Sequence, residues 1–407
     1  MSYINRALVS AALALGLAAC VGDDDGVSEH DVKSNYSAMA YAAYSDSLDS
    51  ALVLKSAVDT FIASPSEANL DTAKAAYKEA RKPYQQSEIM RWDTPITLGK
   101  ALDSDGGPAS VDDWEGQVNA WPLDENHIVA LIEGDEEINI DLLLAQNGAN
   151  DNEANVTTGV HAVEFMLWGE DTHGTEAGSG ERPASDYDVA NCADDFCERR
   201  ALYLDAAMDL LVQDLTEMKA EWSPEAEATA GTLANNFLNS DDALDYIMGA
   251  IRNMASDELA SARMSAGLEL GDPEEEHDCF SDFSHIAIFY NFQAVRNAWY
   301  GHYYKTDGGS VRGAGLADIV FERDIATYVY IEDALNSIES KMKAIKDAGE
   351  RTENTVRYDQ IIGQDANGTE RKIAENAVDE LVAIDELFAM ATDILSLDVE
   401  GPDGSGD

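Results

Sequence analysis

A histidine and a carboxylate one helical turn apart can share a metal ion. The sequence places such a pair in a largely apolar run, TTGVHAVEFMLWGED, at 157–171. His161 and Glu164 stand three residues apart, about 300° around a helix and so on one face. A neutral imidazole brings a nitrogen donor and a carboxylate a hard oxygen donor. That set suits iron, with the oxygens favouring the ferric state, and zinc could occupy the same ligands. Gly159 leaves the adjacent turn open and Trp168 continues the same face. Asn155 or Thr157 can cap the helix and Gly169 can end it. Close to that N-terminus the helix dipole disfavours imidazolium, which keeps His161 in the form a metal needs.

The spacing alone is cheap in so acidic a chain. It recurs at His173-x-x-Glu176 inside a glycine-rich loop, and Asp124-x-x-His127 and Glu274-x-x-His277 are further carboxylate–histidine pairs. Spacing therefore leaves open a hydrogen-bonded buried pair as the alternative to a metal site. Zinc peptidases need two histidines one turn apart, as in H-E-x-x-H or H-x-x-E-H. Phe165 occupies the place of the second histidine here. Neither a G-x-S-x-G elbow nor a reactive cysteine context supports a nucleophilic hydrolase. His302 in YGHYY could flank a haem, although the chain has no C-x-x-C-H attachment sequence. Haem thus ranks behind iron and zinc.

The surroundings of these residues set further bounds. Residues 1–19 carry Arg6 and an apolar run from Ala7 to Ala19, too short to span a bilayer and built like a secretory signal. The run closes on Leu17-Ala18-Ala19-Cys20, which resembles a bacterial lipobox, with Cys20 as the lipidated residue. Residues 20–33 read as a flexible acidic tether, and no later run is apolar enough to cross a membrane. The expected placement is an exported protein anchored through the Cys20 lipid at the outer membrane. The formal charge of −53 excludes a nucleic-acid partner, because a polyanion would be repelled. With 45% hydrophobic residues the chain is not a disordered acidic tail. Two readings of the charge stay open, a salt-tolerant surface and a field that concentrates cations. In an oxidising compartment Cys192 and Cys197 can close the NCADDFC loop, with Cys279 left over or pairing with either.

The elements that must carry the pair are helical. Apolar residues recur at helical spacing through 199–222 and through about 34–63, 66–91, 234–269, 284–304, 322–347 and 370–396. Irregular stretches lie at roughly 93–126, 169–198, 271–283 and 305–320. The chain reads as all-α, with helical-bundle domains at 34–198 and 199–398 and a disordered tail at 399–407. The metal would lie in a cleft under the 169–198 loop.

The run GVHAVEFMLWGED followed by GSGERPASDY resembles the G-x-H-x-x-E signature of the imelysin family, falling on Gly159, His161 and Glu164. ARKPYQQSEIMRW, NAWPLDE, EEEHDCFSDFSH and NAWYGHYYKTDGGSVRGAGLADIV resemble its iron-regulated protein A branch, over about 36–395. The resemblance implies two helical bundle domains, periplasmic or outer-membrane placement, and a role in iron acquisition, with an outer-membrane iron or haem receptor as a candidate partner. Relatives in ferrous-iron uptake join the pair to glutamates of an earlier helix, which carries Glu88 over as a third ligand. Gln85 stands where a further carboxylate is expected, and Asp124 is a weaker candidate. Some imelysins are described as insulin-cleaving metallopeptidases, so peptidase activity is the rival implication.

Overall fold

Ser28 opens the first helix by accepting the Asp31 amide while the Asp31 carboxylate takes the Ser28 amide, a reciprocal cap. The computed structural model describes residues 26–91, 114–399 and 401–402. The leader with Cys20, most of the 93–126 stretch and the last tail residues lie outside the described residues. The principal helices are α1 (Glu29–Ala63), α2 (Glu67–Ser87), α3 (Gly159–Trp168), α4 (Cys197–Glu221), α5 (Ala243–Asn253), α6 (Ser284–Tyr300), α7 (Leu316–Arg323), α8 (Ile325–Gly349) and α9 (Thr369–Leu395). Shorter helices at 115–118, 125–133, 140–146, 233–239 and 358–363 fill the connections. The fold is all-α apart from one antiparallel hairpin, β1 (His302–Tyr304) with β2 (Ser310–Arg312), in which Tyr303 faces Val311. Among the described residues no helix is long and apolar enough to cross a membrane.

Packing follows the apolar stripes. One side of α1 lies along α2 and another along α4; α6 sits between α2 and α8, and α8 pairs with α9. A continuous apolar core joins these helices. The boundary expected at 198/199 falls inside the first turn of α4, whose stripe is buried against α1. At the top of α2, Tyr36, Trp222, Phe237 and Tyr246 pack edge to face and tilted. From this cluster the Tyr36 hydroxyl donates to the Ile89 carbonyl at 3.1 Å and that of Tyr246 to Met90 at 2.6 Å. These bonds fix the short 3-10 turn Glu88–Met90 in the interior.

Two expectations need correction. The helix expected over 284–304 ends at Tyr300, because Gly301 takes φ +66° and a Cβ there would meet the Ala314 carbonyl oxygen at 2.5 Å. His302 and Tyr304 therefore lie on a strand, where their ring centroids are 4.1 Å apart and tilted by 47°, and the helical spacing of the tyrosines is lost. The helix expected over 234–269 breaks at Ser240. It then runs from α5 into a π-helical stretch, Met254–Ser265, whose end shows the wide turn in the Ala266 amide bonding the Ser261 carbonyl.

Gly159 is required by its backbone. Its φ is +77°, and a Cβ would stand 2.3 Å from the Val118 carbonyl oxygen. Gly159→Ala is expected to destabilise the protein by about 1–3 kcal/mol from backbone strain alone, before any clash. The denaturant midpoint measures this, and an unchanged midpoint would refute the close approach.

Candidate metal centre

α3 is short, apolar and buried from end to end, so its two polar side chains must find partners within the protein. Thr158 precedes it, its hydroxyl donating to the Gln117 carbonyl, while Thr157 donates to Leu143. Gly169 closes the helix with φ +75°. Trp168 lies edge-on to Tyr77, with Lys74 and Lys78 over its ring.

His161 and Glu164 are both inaccessible to solvent, and His161 Nδ1 lies 3.1 Å from Glu164 Oε2. The other oxygen, Oε1, accepts the Ser281 amide at 3.0 Å and the Ser281 hydroxyl at 2.6 Å. His161 Nε2 is buried without a hydrogen-bond partner. The third group at the pair is Asp278, whose carboxylate lies with the His161 and Glu164 donor atoms inside 4.8 Å. Asp278 is gripped by Arg81, Nε to Oδ1 at 2.7 Å and Nη2 to Oδ2 at 3.1 Å, with neither side chain exposed beyond 1%. The rings of His277 and Trp121 lie 4.7 and 5.0 Å from that of His161. The segment laid over the pair is thus 277–281, where the sequence suggested a cleft under the 169–198 loop. That loop lies against the segment through the Gly180 amide, which bonds Phe280.

The electrostatics follow from burial. Desolvation, helped by Arg81, lowers the His161 pKa to about 3, so the imidazole is neutral. The neutral imidazole is the form the sequence led one to expect, with burial as its leading cause where the helix dipole was invoked. Burial and then the Asp278 charge push Glu164 up to about 8. Burial acts to raise Asp278 as well, but Arg81 overrides it and holds this carboxyl well below its usual range.

Glu88 lies elsewhere in the same buried layer. Its carboxylate pairs with Arg263 and accepts from Asn291 at 3.0 Å and Asn119 at 3.1 Å. Asn119 links it onward to His277 Nε2 at 3.4 Å and to Arg81 at 2.8 Å. Arg263 and Arg91 in turn share Glu258. The structure therefore brings Asp278 to His161 and Glu164, and holds Glu88 in an arginine network beside them. Gln85 is explained by that network. An amide there can accept from an arginine and donate to Glu88, where a second carboxylate would add an uncompensated charge.

The remaining pairs do not form sites. Asp124 caps the 125–133 helix by accepting the Asn126 amide, and His127 Nε2 faces the Gln146 carbonyl at 3.2 Å. His173 bonds Asp171 at 3.0 Å, with Glu176 exposed, and Glu274 is exposed while His277 is buried. Phe165, where a zinc peptidase would have its second histidine, packs on Phe280 at 5.3 Å. Cys192 and Cys197 are bridged, and Cys279 is a buried free thiol.

The family model described as Imelysin matches residues 40–387. A crystal structure described as that of an iron-regulated protein A precursor from Parabacteroides distasonis superposes with a TM-score of 0.64 at 15% identity. The superposition covers 91% of this chain and 97% of that one, a likeness of fold. No curated protein matches the sequence.

The raised Glu164 carboxyl has a consequence for the metal-free protein. Between the ordinary value of 4.5 and about 8, the folded state holds a proton that the unfolded state has released. Its contribution to stability is present below pH 4.5 and is lost as pH rises through about 8. Other buried carboxyls add to that decline. Glu164→Gln is expected to make the fall of unfolding free energy between pH 6.5 and 8 shallower by up to about one proton. Denaturant unfolding at several pH values measures the slope, and equal slopes in the two proteins would contradict the assignment.

Proposed function

The chain belongs to the imelysin family, and on that basis we propose that it binds iron reversibly at His161, Glu164 and Asp278 and takes part in iron acquisition. The observation that carries this reading is the orphaned His161 Nε2, a buried unpaired nitrogen on a ring that clusters with two buried carboxylates. Leaving such an atom unpaired costs about 1–3 kcal/mol, which a bound cation would offset. The donor set fits a metal. Glu164 is oriented by Ser281 and Asp278 by Arg81, so the side chains are held before any ion arrives. Iron would gain two hard oxygens and one nitrogen here, and zinc could use the same donors.

Charge balance supports a cation as the ligand. With Arg81 neutralising Asp278, the cluster is neutral while Glu164 keeps its proton. Binding requires the carboxylate, so affinity is expected to rise with pH toward about 8. The peptidase reading has less support. His161, Glu164 and Asp278 are all fully buried, whereas a peptide needs an open coordination position and a route to it. His277 is the nearest second imidazole, but its nitrogens face Arg81 and Asn119. The same proposal includes export and a lipid at Cys20, supported by Leu17-Ala18-Ala19-Cys20, and docking to an outer-membrane receptor.

Iron titration of the purified apo-protein should give one saturable site. His161→Ala and Glu164→Gln are each expected to weaken it by at least the ~10–100-fold that loss of an outer-shell partner costs. Equal affinity in wild type and both variants would sink the assignment. In cells, the Cys20→Ser chain should move from the membrane to the soluble fraction.

A further inference from the structure

A second cluster takes two of its residues from the two ends of the 276–282 segment and none from the centre just described. Glu276, Asp282 and Asp359 are each 1% exposed, and one oxygen from each lies within 4.8 Å of the others. Carboxylates seldom gather in this way inside a protein unless something positive is shared among them. Here the protein supplies too little. Arg357 donates to Asp282 Oδ2 at 2.8 Å, and five carboxylate oxygens are buried without a well-formed hydrogen bond: both of Glu276, Asp282 Oδ1, and both of Asp359, on which only the Gln360 amide acts. When all three are ionised, as cation binding requires, three carboxylates against one arginine leave a surplus of two negative charges. Lys78 and Asp171, which also act on Asp282, cancel one another.

We propose that Glu276, Asp282 and Asp359 form a second cation site, separate from the iron centre, for a hard divalent ion of the calcium type. An all-oxygen set without imidazole or thiolate selects hard cations. Calcium takes six to eight oxygens, tolerates bidentate carboxylates and irregular geometry, and accepts a dry site more readily than magnesium, which keeps its waters. The surplus of two charges matches a divalent ion. Burial pushes all three carboxyls above their usual range, as expected of groups whose charge the protein alone does not balance.

The placement gives the site a task. Glu276 and Asp282 bracket His277, Asp278 and Ser281, the segment laid over His161 and Glu164. Asp359 sits on the 358–363 helix, anchored by the Tyr358 hydroxyl to the Met264 carbonyl at 3.0 Å. Asp282 holds φ +51°, so its turn is set by its surroundings. An ion shared by these three side chains would staple the segment to the 358–363 helix and fix the depth at which Asp278 and Ser281 are presented.

Calcium chloride titrated into the full chain, by calorimetry and by thermal unfolding, tests the site. High salt screens weak binding by the acidic surface. The expected result is one saturable calcium per chain with a raised thermal midpoint. Both are retained in His161→Ala and lost in Asp359→Asn and in Glu276→Gln. Circular dichroism establishes which variants fold, and either carboxylate variant alone is decisive. Absence of saturable binding in the wild type overturns the proposal, as does binding that survives in a folded carboxylate variant. Because His161→Ala removes iron binding only, failure here leaves the iron reading standing, and the converse also holds.

Discussion

The buried pair of Arg81 and Asp278 is the interaction on which the rest of the centre depends. It joins α2 to a segment almost two hundred residues later, in a place where neither charge reaches water. Taking two ions into the interior costs several kcal/mol apiece, and only near-ideal geometry with further hydrogen bonds offsets that cost. Both conditions are met. Arg81 grips the carboxylate through two nitrogens and turns a third to Asn119, while the Asp278 amide bonds the Ser284 hydroxyl at 2.8 Å. A pair of this kind adds little net stability against an apolar substitute but a great deal of specificity of position. What it positions is a carboxylate beside the His161–Glu164 pair.

From that pair outward, the interior polar groups form a layer across the core. Arg81 passes through Asn119 to Glu88, Glu88 to Arg263, and Arg263 to Glu258 and Arg91. Its members come from α2, the 115–120 turn, the π-helical stretch and α6, so the layer ties both halves of the chain together. Arginine is the residue for this work, because its planar fork serves several acceptors at once and never loses its charge. The π-helical stretch contributes both Glu258 and Arg263 within one run, five residues apart. The centre thus adjoins a hydrogen-bonded network and keeps one buried imidazole nitrogen unpaired.

Much of this was legible in the sequence, and the reasons for the rest are physical. The spacing of His161 and Glu164, the apolar helix around them and the ending at Gly169 are local properties, read correctly from local pattern. The all-helical class followed from apolar periodicity over long stretches. Asp278 was out of reach, since the contact spans more than a hundred residues and EEEHDC offers several acids with nothing to rank them. Glu88 shows the converse difficulty. Its type and helix suit a ligand, and only Arg263, far along the chain, shows that its charge is already taken. Gly159 is a subtler case, because its absent side chain suggested access for a ligand, yet the structure uses it for the approach of the Val118 carbonyl. The end of α6 at Gly301 depends on a similar backbone approach, from Ala314, which apolar periodicity does not register.

The account rests on one ion sitting at one nitrogen. Diffraction from iron-soaked crystals, collected on both sides of the iron absorption edge, tests that most directly. The result expected is a single strong anomalous peak within coordination distance of a His161 ring nitrogen and of carboxylate oxygens from Glu164 and Asp278. A peak bound at other residues, or an iron-free centre in protein that has taken up iron, would contradict it.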